Sequence, residues 1–441
     1  MWFSIKRTLK GSHPDPEKSR TENKGIEVAS VPRTLVFPLN MHIGAPAKPV
    51  VAVGDPVKAG TLIAAGVEGI SAHVHASVSG IVLAIEKRLT VKGMADCIVI
   101  KNDEDYEAEA WPERTEESLT KADILKAVKD AGIVGMGGAQ FPTHIKYAVD
   151  DPGSIHTLIL NGAECEPYAT ADDRLMREHP QEILQGMTLI KRLFPIDQAI
   201  VGIEANKPDA ILSMEEAAKG FDGIVIQSLP ELYPQGDEET LIATITGKQV
   251  PAGKLPKDIG VIVSNVATAF AVQQAVYAGK PLIARVVTVT GTPLKEPKNL
   301  LVRIGTPIES VLEDCGGFAA IPGAIIHGGP MMGHAVESAS VPIVKGTSII
   351  LTQTAEEAGL EERMPCIRCA QCLEVCPVKL QPVLISEAYE RGDIKRAEEL
   401  GAMDCIECGN CSYICPSKIP LLDHIRGAKQ RIREQRKAGV K

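Results

Sequence analysis

Eight of the eleven cysteines in this 441-residue chain fall into two matched runs near its C-terminus. The first is Cys366-x2-Cys369-x2-Cys372-x3-Cys376-Pro377, and the second is Cys405-x2-Cys408-x2-Cys411-x3-Cys415-Pro416. Three thiolates at this spacing wrap three corners of an iron–sulfur cube, and the fourth, before proline, reaches the neighbouring cube. The spacing therefore predicts two [4Fe–4S] clusters with crossed ligation. One would be held by Cys366, Cys369, Cys372 and Cys415, the other by Cys376, Cys405, Cys408 and Cys411. Tetrahedral zinc also accepts four cysteine thiolates, usually from two separated pairs. A duplicated run of four, each ending in Cys-Pro, favours cubes, and cubes move electrons one at a time.

A second set of residues suits a different ligand. Gly135, Gly137 and Gly138 sit in four consecutive positions after a stretch opening at Thr120-x-x-Asp123, a capping box for a helix through Asp130. Clustered glycines let a backbone approach a phosphate or a ring closely, and Lys146 is spaced to add a positive charge at the far end. The loop does not follow the G-x-G-x-x-G fingerprint, and no strand directly precedes it. Three further stretches join it. Asn161-Gly-Ala-Glu164-Cys-Glu166-Pro follows an apolar strand, where open α/β sheets place ligands. Tyr233-Pro-Gln-Gly236-Asp-Glu238 and Asn265-Val-Ala-Thr268 each open a helix, whose N-terminus suits phosphate. Taken singly, each reads as an ordinary cap.

The elements that must position these residues can be read from periodicity. Residues 1–30 form a polar N-terminal segment. Residues 31–102 hold short β-rich runs broken by Gly and Pro. Their two halves resemble biotinyl/lipoyl carrier domains, a barrel sandwich. The hairpin that bears a modified lysine in those domains reads Ser71-Ala-His73-Val-His75-Ala here, so the fold is expected as a scaffold only. His73 and His75 share a face if extended and are expected as polar surface rather than metal ligands. An acidic linker, 103–117, carries eight carboxylates and one arginine. From 118 to 283, apolar runs at 157–160, 199–203, 224–227 and 259–263 alternate with helical stretches at 181–193, 209–218 and 238–245, which implies a mostly parallel α/β sheet. Residues 284–345 turn β-rich again, as in a small β-grasp module. The cluster domain covers 360–423, with helical pieces broken at Gly392, and a basic tail covers 424–441. The fold class is thus multidomain α/β.

Composition excludes several roles. Aromatics are 4% of residues and net charge is −9, which argues against nucleic-acid partners. No secretory signal is expected from Met1-Trp-Phe-Ser-Ile-Lys, and paired thiolates suit a reducing compartment. Residues 259–279 run 21 positions without a charge, long enough to suggest a span. The Ser, Asn, Thr and Gln residues inside that run favour a strand followed by a buried helix. The tail Arg426–Lys441 has seven Lys/Arg and one Glu. It could touch anionic lipid at about 1 kcal/mol per basic residue, the alternative being a solvated helix.

Over roughly 120–345, the glycine loop, the Asn-Gly-x-Glu-x-Glu-Pro run, the Gly236 turn and the Asn-Val-x-Thr helix start resemble the flavin-binding subunit of respiratory complex I. That resemblance implies non-covalent FMN with NAD(H) beside it. Gly135, Gly137, Gly138 and Lys146 would cradle FMN, and Asn161, Glu164, Gly236, Asn265 and Thr268 would complete its pocket. Phe141, Glu166 and Glu238 would face NADH. Gln140 and Ala163 stand where that family has a glycine and an acidic residue, and Cys165 where it has a small one.

The full order of domains resembles the RnfC family of Rnf electron-transport complexes, with matching stretches at His42-Ile-Gly-Ala-Pro-Ala-Lys-Pro, Asn161-Gly-Ala-Glu-Cys-Glu-Pro-Tyr, Tyr233-Pro-Gln-Gly, Gly328-Gly-Pro-Met-Met-Gly and Met403-Asp-Cys-Ile-Glu-Cys-Gly. The resemblance implies a peripheral subunit on the cytoplasmic side of the membrane, bound to the other subunits of the complex. It would reach the membrane through them, with the basic tail as a further contact. The complex would couple electron flow between ferredoxin and NAD(H) to ion movement. Two other readings remain open: a free-standing flavin reductase like the cobalamin reductases, which lack the N-terminal carrier-like domain, and an iron–sulfur electron wire without enzyme activity.

Overall fold

A computed structural model of the chain describes residues 10–111, 119–251, 253–359, 362–437 and 439. Residues 112–118 of the acidic linker region, and the two ends of the chain, lie outside the described residues.

The N-terminal barrel sandwich is built from two small sheets. The larger orders Thr34–Pro38, Gly93–Asn102, Gly80–Thr90 and Pro56–Val57 as antiparallel neighbours. The smaller orders Lys48–Pro49, Leu62–Ala65 and Val74–His75. Alternation drives the packing: Leu35 and Phe37 point inward with Ile63, Val74, Ile98 and Ile100, all fully buried.

The central domain is a four-stranded parallel sheet in the order Ile224–Leu229, Gln198–Glu204, Thr157–Gly162, Val261–Asn265. Its middle strand is apolar on both sides, with Leu158, Ile159 and Leu160 all fully buried. That is the pattern of a sheet covered by helices on both faces. The long uncharged run is not a span. It forms a short 3-10 turn at Pro256–Ile259, the strand Val261–Asn265 and the helix Val266–Tyr277. Gly260 takes a left-handed φ of 78°, so the strand starts later than the apolar pattern suggested. Among the described residues, no helix is long and apolar enough to cross a membrane.

A six-stranded sheet follows, ordered Ile26–Val28, Lys298–Arg303, Ala284–Gly291, Ile349–Gln353, Ala324–His327, His334–Ala335. Two of its strands come from outside the 284–345 stretch. The outermost belongs to the N-terminal segment and pairs Ile26 with Asn299 in parallel. A strand of three residues is too short for periodicity to reveal.

The cluster domain packs the helices Pro382–Glu390, Ile394–Glu399 and Leu421–Lys437 over a core that includes Ile385, Ala397, Ile425 and Ile432. Gly392, with φ of 74°, makes the break between the first two. Several basic groups of the last helix make contacts within the domain. Arg426 and Lys429 pair with Glu407, Arg436 pairs with Glu398, and Arg431 lies over the Tyr389 ring at 5.0 Å.

Candidate functional site

The strands Thr157–Gly162 and Val261–Asn265 run side by side and end level, with Asn161 opposite Asn265. The expected flavin residues gather above this crest. Asn265 caps the helix Val266–Tyr277: its Oδ1 accepts the amides of Ala267 and Thr268, and its Nδ2 donates to Asp172 at 2.6 Å. Thr268 Oγ1 accepts the Met136 amide at 3.0 Å, which stitches the glycine loop to the same helix. Asn161 Nδ2 donates to the Gly236 carbonyl at 2.8 Å. At the far end of the loop, Lys146 pairs with Glu238 at 2.7 Å, joining a residue expected beside FMN to one expected beside NADH. Glu238 opens the helix Glu238–Thr246, capped by Asp237. Phe141 is half-buried, and its carbonyl accepts the Gly135 amide.

The loop fits a cofactor that lies close to backbone. A Cβ on Gly137 would stand 3.0 Å from that of Asn265, whereas Gly138 faces open space. Gln140 Oε1 and Thr143 Oγ1, beside the glycines, are buried without a hydrogen-bond partner. Gln140, Glu164 and Tyr168 hold left-handed φ values of 55°, 48° and 68°. Such strained non-glycine residues collect at ligand sites.

The Asn161–Pro167 loop is held from beneath by a residue the sequence reading missed. Lys18, in the N-terminal segment, donates to the carbonyls of Glu164, Glu166 and Ala169 at 3.0, 3.1 and 2.7 Å. Burial, reinforced by Lys207, lowers its pKa to about 8. The Glu164 carboxylate accepts the amides of Asp172 and Asp173 at 2.7 and 3.0 Å and so caps the helix Ala171–Glu178. Burial raises its pKa and that of Asp172. The polar N-terminal segment thus runs through the site as a strap. A lone buried lysine leaves no periodic signal in sequence.

The cysteines fall into two groups, and each mixes the two runs. A pocket is lined by Cys376, Cys405, Cys408 and Cys411 with Pro377, Ile406, Leu422 and Ile425. Burial pushes the Cys411 thiol up to about 12, with Cys405, Cys408 and Cys376 adding to the shift. Cys372 is likewise raised by burial, and then by Cys415, Cys369 and Cys366. Among the described residues, no three His, Cys, Asp or Glu side chains converge tightly enough to hold a single metal ion. A cube, unlike a lone ion, needs its thiolates held apart around its own volume, and Cys376, Cys405, Cys408 and Cys411 line one pocket together.

The groups differ in setting. The inner group, around Cys376, Cys405, Cys408 and Cys411, lies against the flavin-side loops. Tyr233 Oη donates to the Cys408 carbonyl at 2.7 Å and also lies 3.2 Å from Glu166 Oε2. Glu166 accepts the amides of Met331 and Met332 at 2.8 and 3.2 Å, and burial raises its pKa against these donors. Lys429 Nζ donates to the Cys405 carbonyl at 2.7 Å. The outer group leaves Cys366 and Cys369 exposed, with Ile367 67% and Met364 53% exposed beside them.

The expectation for His73 and His75 is corrected. His75 is buried, at 6% exposure, and burial lowers its pKa to about 3. The hairpin packs on the C-terminus of the helix Lys121–Asp130, just before the glycine loop. There the buried Lys345 donates to the carbonyls of His73 and Gly132 at 2.5 and 2.6 Å. The carrier-like hairpin therefore buttresses the loop instead of facing solvent.

Comparison with known proteins agrees with this layout. The RnfC barrel sandwich hybrid profile matches residues 6–105, and the Nuo51 FMN-binding domain profile matches 128–274. The SLBB domain matches 286–335, and a 4Fe-4S dicluster domain matches 360–416. A subunit of the proton-translocating ferredoxin:NAD(+) oxidoreductase complex of Clostridium ljungdahlii is 45% identical over 435 residues, covering 97% of this chain and 94% of the relative. Its Na(+)-translocating counterpart from Acetobacterium woodii is 42% identical, covering 98% of each. The corresponding subunit of the ion-translocating oxidoreductase complex of Rhodobacter capsulatus is 43% identical, covering 98% of this chain and 84% of the relative. Among solved structures, the NAD+-reducing [NiFe]-hydrogenase in its H2-reduced state matches with a TM-score of 0.51 at 19% identity, over 73% of this chain and 63% of that one, a likeness of fold alone.

Proposed function

This chain belongs to the RnfC family, whose members are subunits of ion-translocating ferredoxin:NAD(+) oxidoreductase complexes, and from that premise we propose that it is the subunit where hydride and single-electron chemistry meet. It is a peripheral electron-transfer subunit on the cytoplasmic side of the membrane, held there by the other subunits of the complex. The complex couples electron flow between ferredoxin and NAD(H) to ion translocation.

When bound, FMN exchanges hydride with a nicotinamide and single electrons with iron–sulfur clusters, so one chain can serve both. The protein supplies binding, orientation and exclusion of water. Gly137 and Gly138 leave room for close approach, and Asn161, Gly236, Asn265 and Thr268 fix the shape of the pocket. Lys146, tied to Glu238, sets the charge at its rim. Glu166 and Phe141 border the side assigned to the nicotinamide. The cysteines supply two tetrads of thiolate, the inner beside this pocket and the outer at the surface, where a partner protein reaches it.

The observation that carries this reading is the contact between Glu166, Tyr233 and the Cys408 carbonyl. It sets the inner tetrad directly against the flavin-side loops. Anaerobic purification followed by iron, sulfide and flavin assays tests it. We expect about eight iron atoms and eight sulfides for two cubes, with one FMN per chain. Iron at that level with no flavin, and none taken up on reconstitution, would favour the electron wire.

A further inference from the structure

Tyr233 lies where the two proposed cofactor sites share side-chain contacts. Its ring is 2% exposed. It packs with Met331 and Cys408, and with Cys165 and Ile406 at the edge of the same apolar cluster. The hydroxyl donates to the Cys408 carbonyl at 2.7 Å. Three positions further along the chain, the Gly236 amide donates to Cys165 Sγ at 3.2 Å, and the Gly236 carbonyl accepts from Asn161 at 2.8 Å. The path from the pocket floor at Gly236 to a cluster ligand is therefore a short length of backbone, one aromatic ring and one hydrogen bond.

The domains do not depend on the hydroxyl to stay together. The Tyr233 backbone already pairs with Ser12 in both directions at 2.9 Å. Asn410 Nδ2 donates to the Tyr233 carbonyl at 3.1 Å, and Ser12 Oγ donates to Asn410 Oδ1 at 2.5 Å. Gly409 is tight against the neighbouring hairpin, where a Cβ would come 2.3 Å from the Met331 carbonyl. Glu166 likewise keeps the Met331 and Met332 amides without the phenol. The bond to the Cys408 carbonyl and the packing of the ring on Cys408 tie the tyrosine side chain to a cysteine of the inner tetrad.

Resting on the cofactor reading above, we propose that Tyr233 is the positioning residue for electron transfer between the flavin pocket and the inner cluster. Its ring fills the gap, and its hydroxyl fixes the Cys408 carbonyl and thereby the distance that the electron crosses. No bond forms or breaks in this step. One electron lost by the reduced flavin is gained by the cluster, and the tyrosine keeps its proton.

The test uses the full chain, loaded anaerobically with iron, sulfide and FMN, as wild type, Tyr233→Phe and Tyr233→Leu. Stopped-flow absorbance separates flavin reduction by NADH from the later reduction of the clusters. EPR of the dithionite-reduced protein reads the two clusters without NADH. In Tyr233→Phe we expect the second phase to slow by roughly tenfold, the scale of losing one hydrogen bond's ordering, and by more than the first phase slows. The EPR signal of the inner cluster should shift while that of the outer one stays. Tyr233→Leu, which also loses the ring, should slow the crossing further. A wild-type crossing rate with an unchanged EPR spectrum in Tyr233→Phe overturns the proposal, as does loss of iron in that variant, which would make the residue merely structural. If NADH fails to reduce either centre in the wild type, the underlying cofactor reading falls instead.

Discussion

The inner cysteine group is roofed by loops from the central domain and the strap, with Cys376, Cys408 and Cys411 each under 9% exposed. The outer group, built on the same spacing, leaves Cys366 and Cys369 open to solvent. The two motifs are alike in sequence and differ in what is packed on them. Burial excludes water and suits a centre that receives electrons from within the chain. Exposure suits one that passes them to another protein. A ligand motif thus specifies the centre, and its tertiary surroundings specify its place in the series.

Breaking one tetrad at a time should give the largest effects. Cys376→Ser should remove the inner cluster, although Cys376 belongs to the first run, because crossed ligation sends the fourth thiolate across. Iron should fall by about half, and NADH should no longer reduce the outer cluster. Cys366→Ser should instead remove the outer cluster and leave NADH reduction of the inner one. EPR distinguishes the two, and loss of the outer signal in Cys376→Ser would reverse the assignment.

The strap belongs to the inner side of the comparison. Lys18→Met leaves the buried carbonyls of Glu164, Glu166 and Ala169 without their donor, which should cost on the order of 1–3 kcal/mol for each carbonyl left unsatisfied. Urea unfolding of the variant should register that loss together with weaker flavin retention. A change below about 1 kcal/mol, the scale of an exposed ion pair, would show that the strap does not hold the loop.

Gly138→Val should leave the fold in place, because a Cβ there meets nothing within 4 Å. Flavin content should drop while iron in both clusters stays at the wild-type level. Full flavin occupancy would move the cradle elsewhere.

The smallest effect concerns the buttress behind the loop. The folded-state pKa of His75, about 3, lies below the usual 6.5, so between these values the unfolded chain binds the extra proton. Stability therefore rises with pH across that window and is lost on acidification from about 6.5 towards 3. At pH 5 the group should cost about 2 kcal/mol. His75→Asn should flatten that part of the stability profile, measured by urea unfolding at pH 5 and 7.5. Parallel profiles for the two proteins would contradict it.

Much of the site was legible because its signals are local. The cysteine runs, the glycine loop and the caps at Asn265 and Asp237 each lie within a few residues of chain, where spacing alone reports geometry. What was missed is long-range. Lys18 reaches Glu164 across 146 positions and Tyr233 reaches Cys408 across 175, and neither contact leaves a period in the sequence. The Glu164 carboxylate closes a helix start eight positions on, a role its place in the Asn-Gly-x-Glu run did not announce. His75 looked like polar surface because only the packing of two domains buries it. The strand Ile26–Val28 was too short to stand out from the polar segment around it.

On the proposed function, electrons pass in series from nicotinamide through the flavin pocket to the inner cluster and then the outer. An anaerobic NADH titration of the loaded protein, read by EPR with and without its flavin, tests it most directly. NADH should reduce both clusters when flavin is present and neither when it has been stripped, while dithionite should reduce both in either form. Cluster reduction by NADH in flavin-free protein would contradict it. So would a holoprotein whose flavin stays oxidised at millimolar NADH, on the order of the upper end of usual KM values.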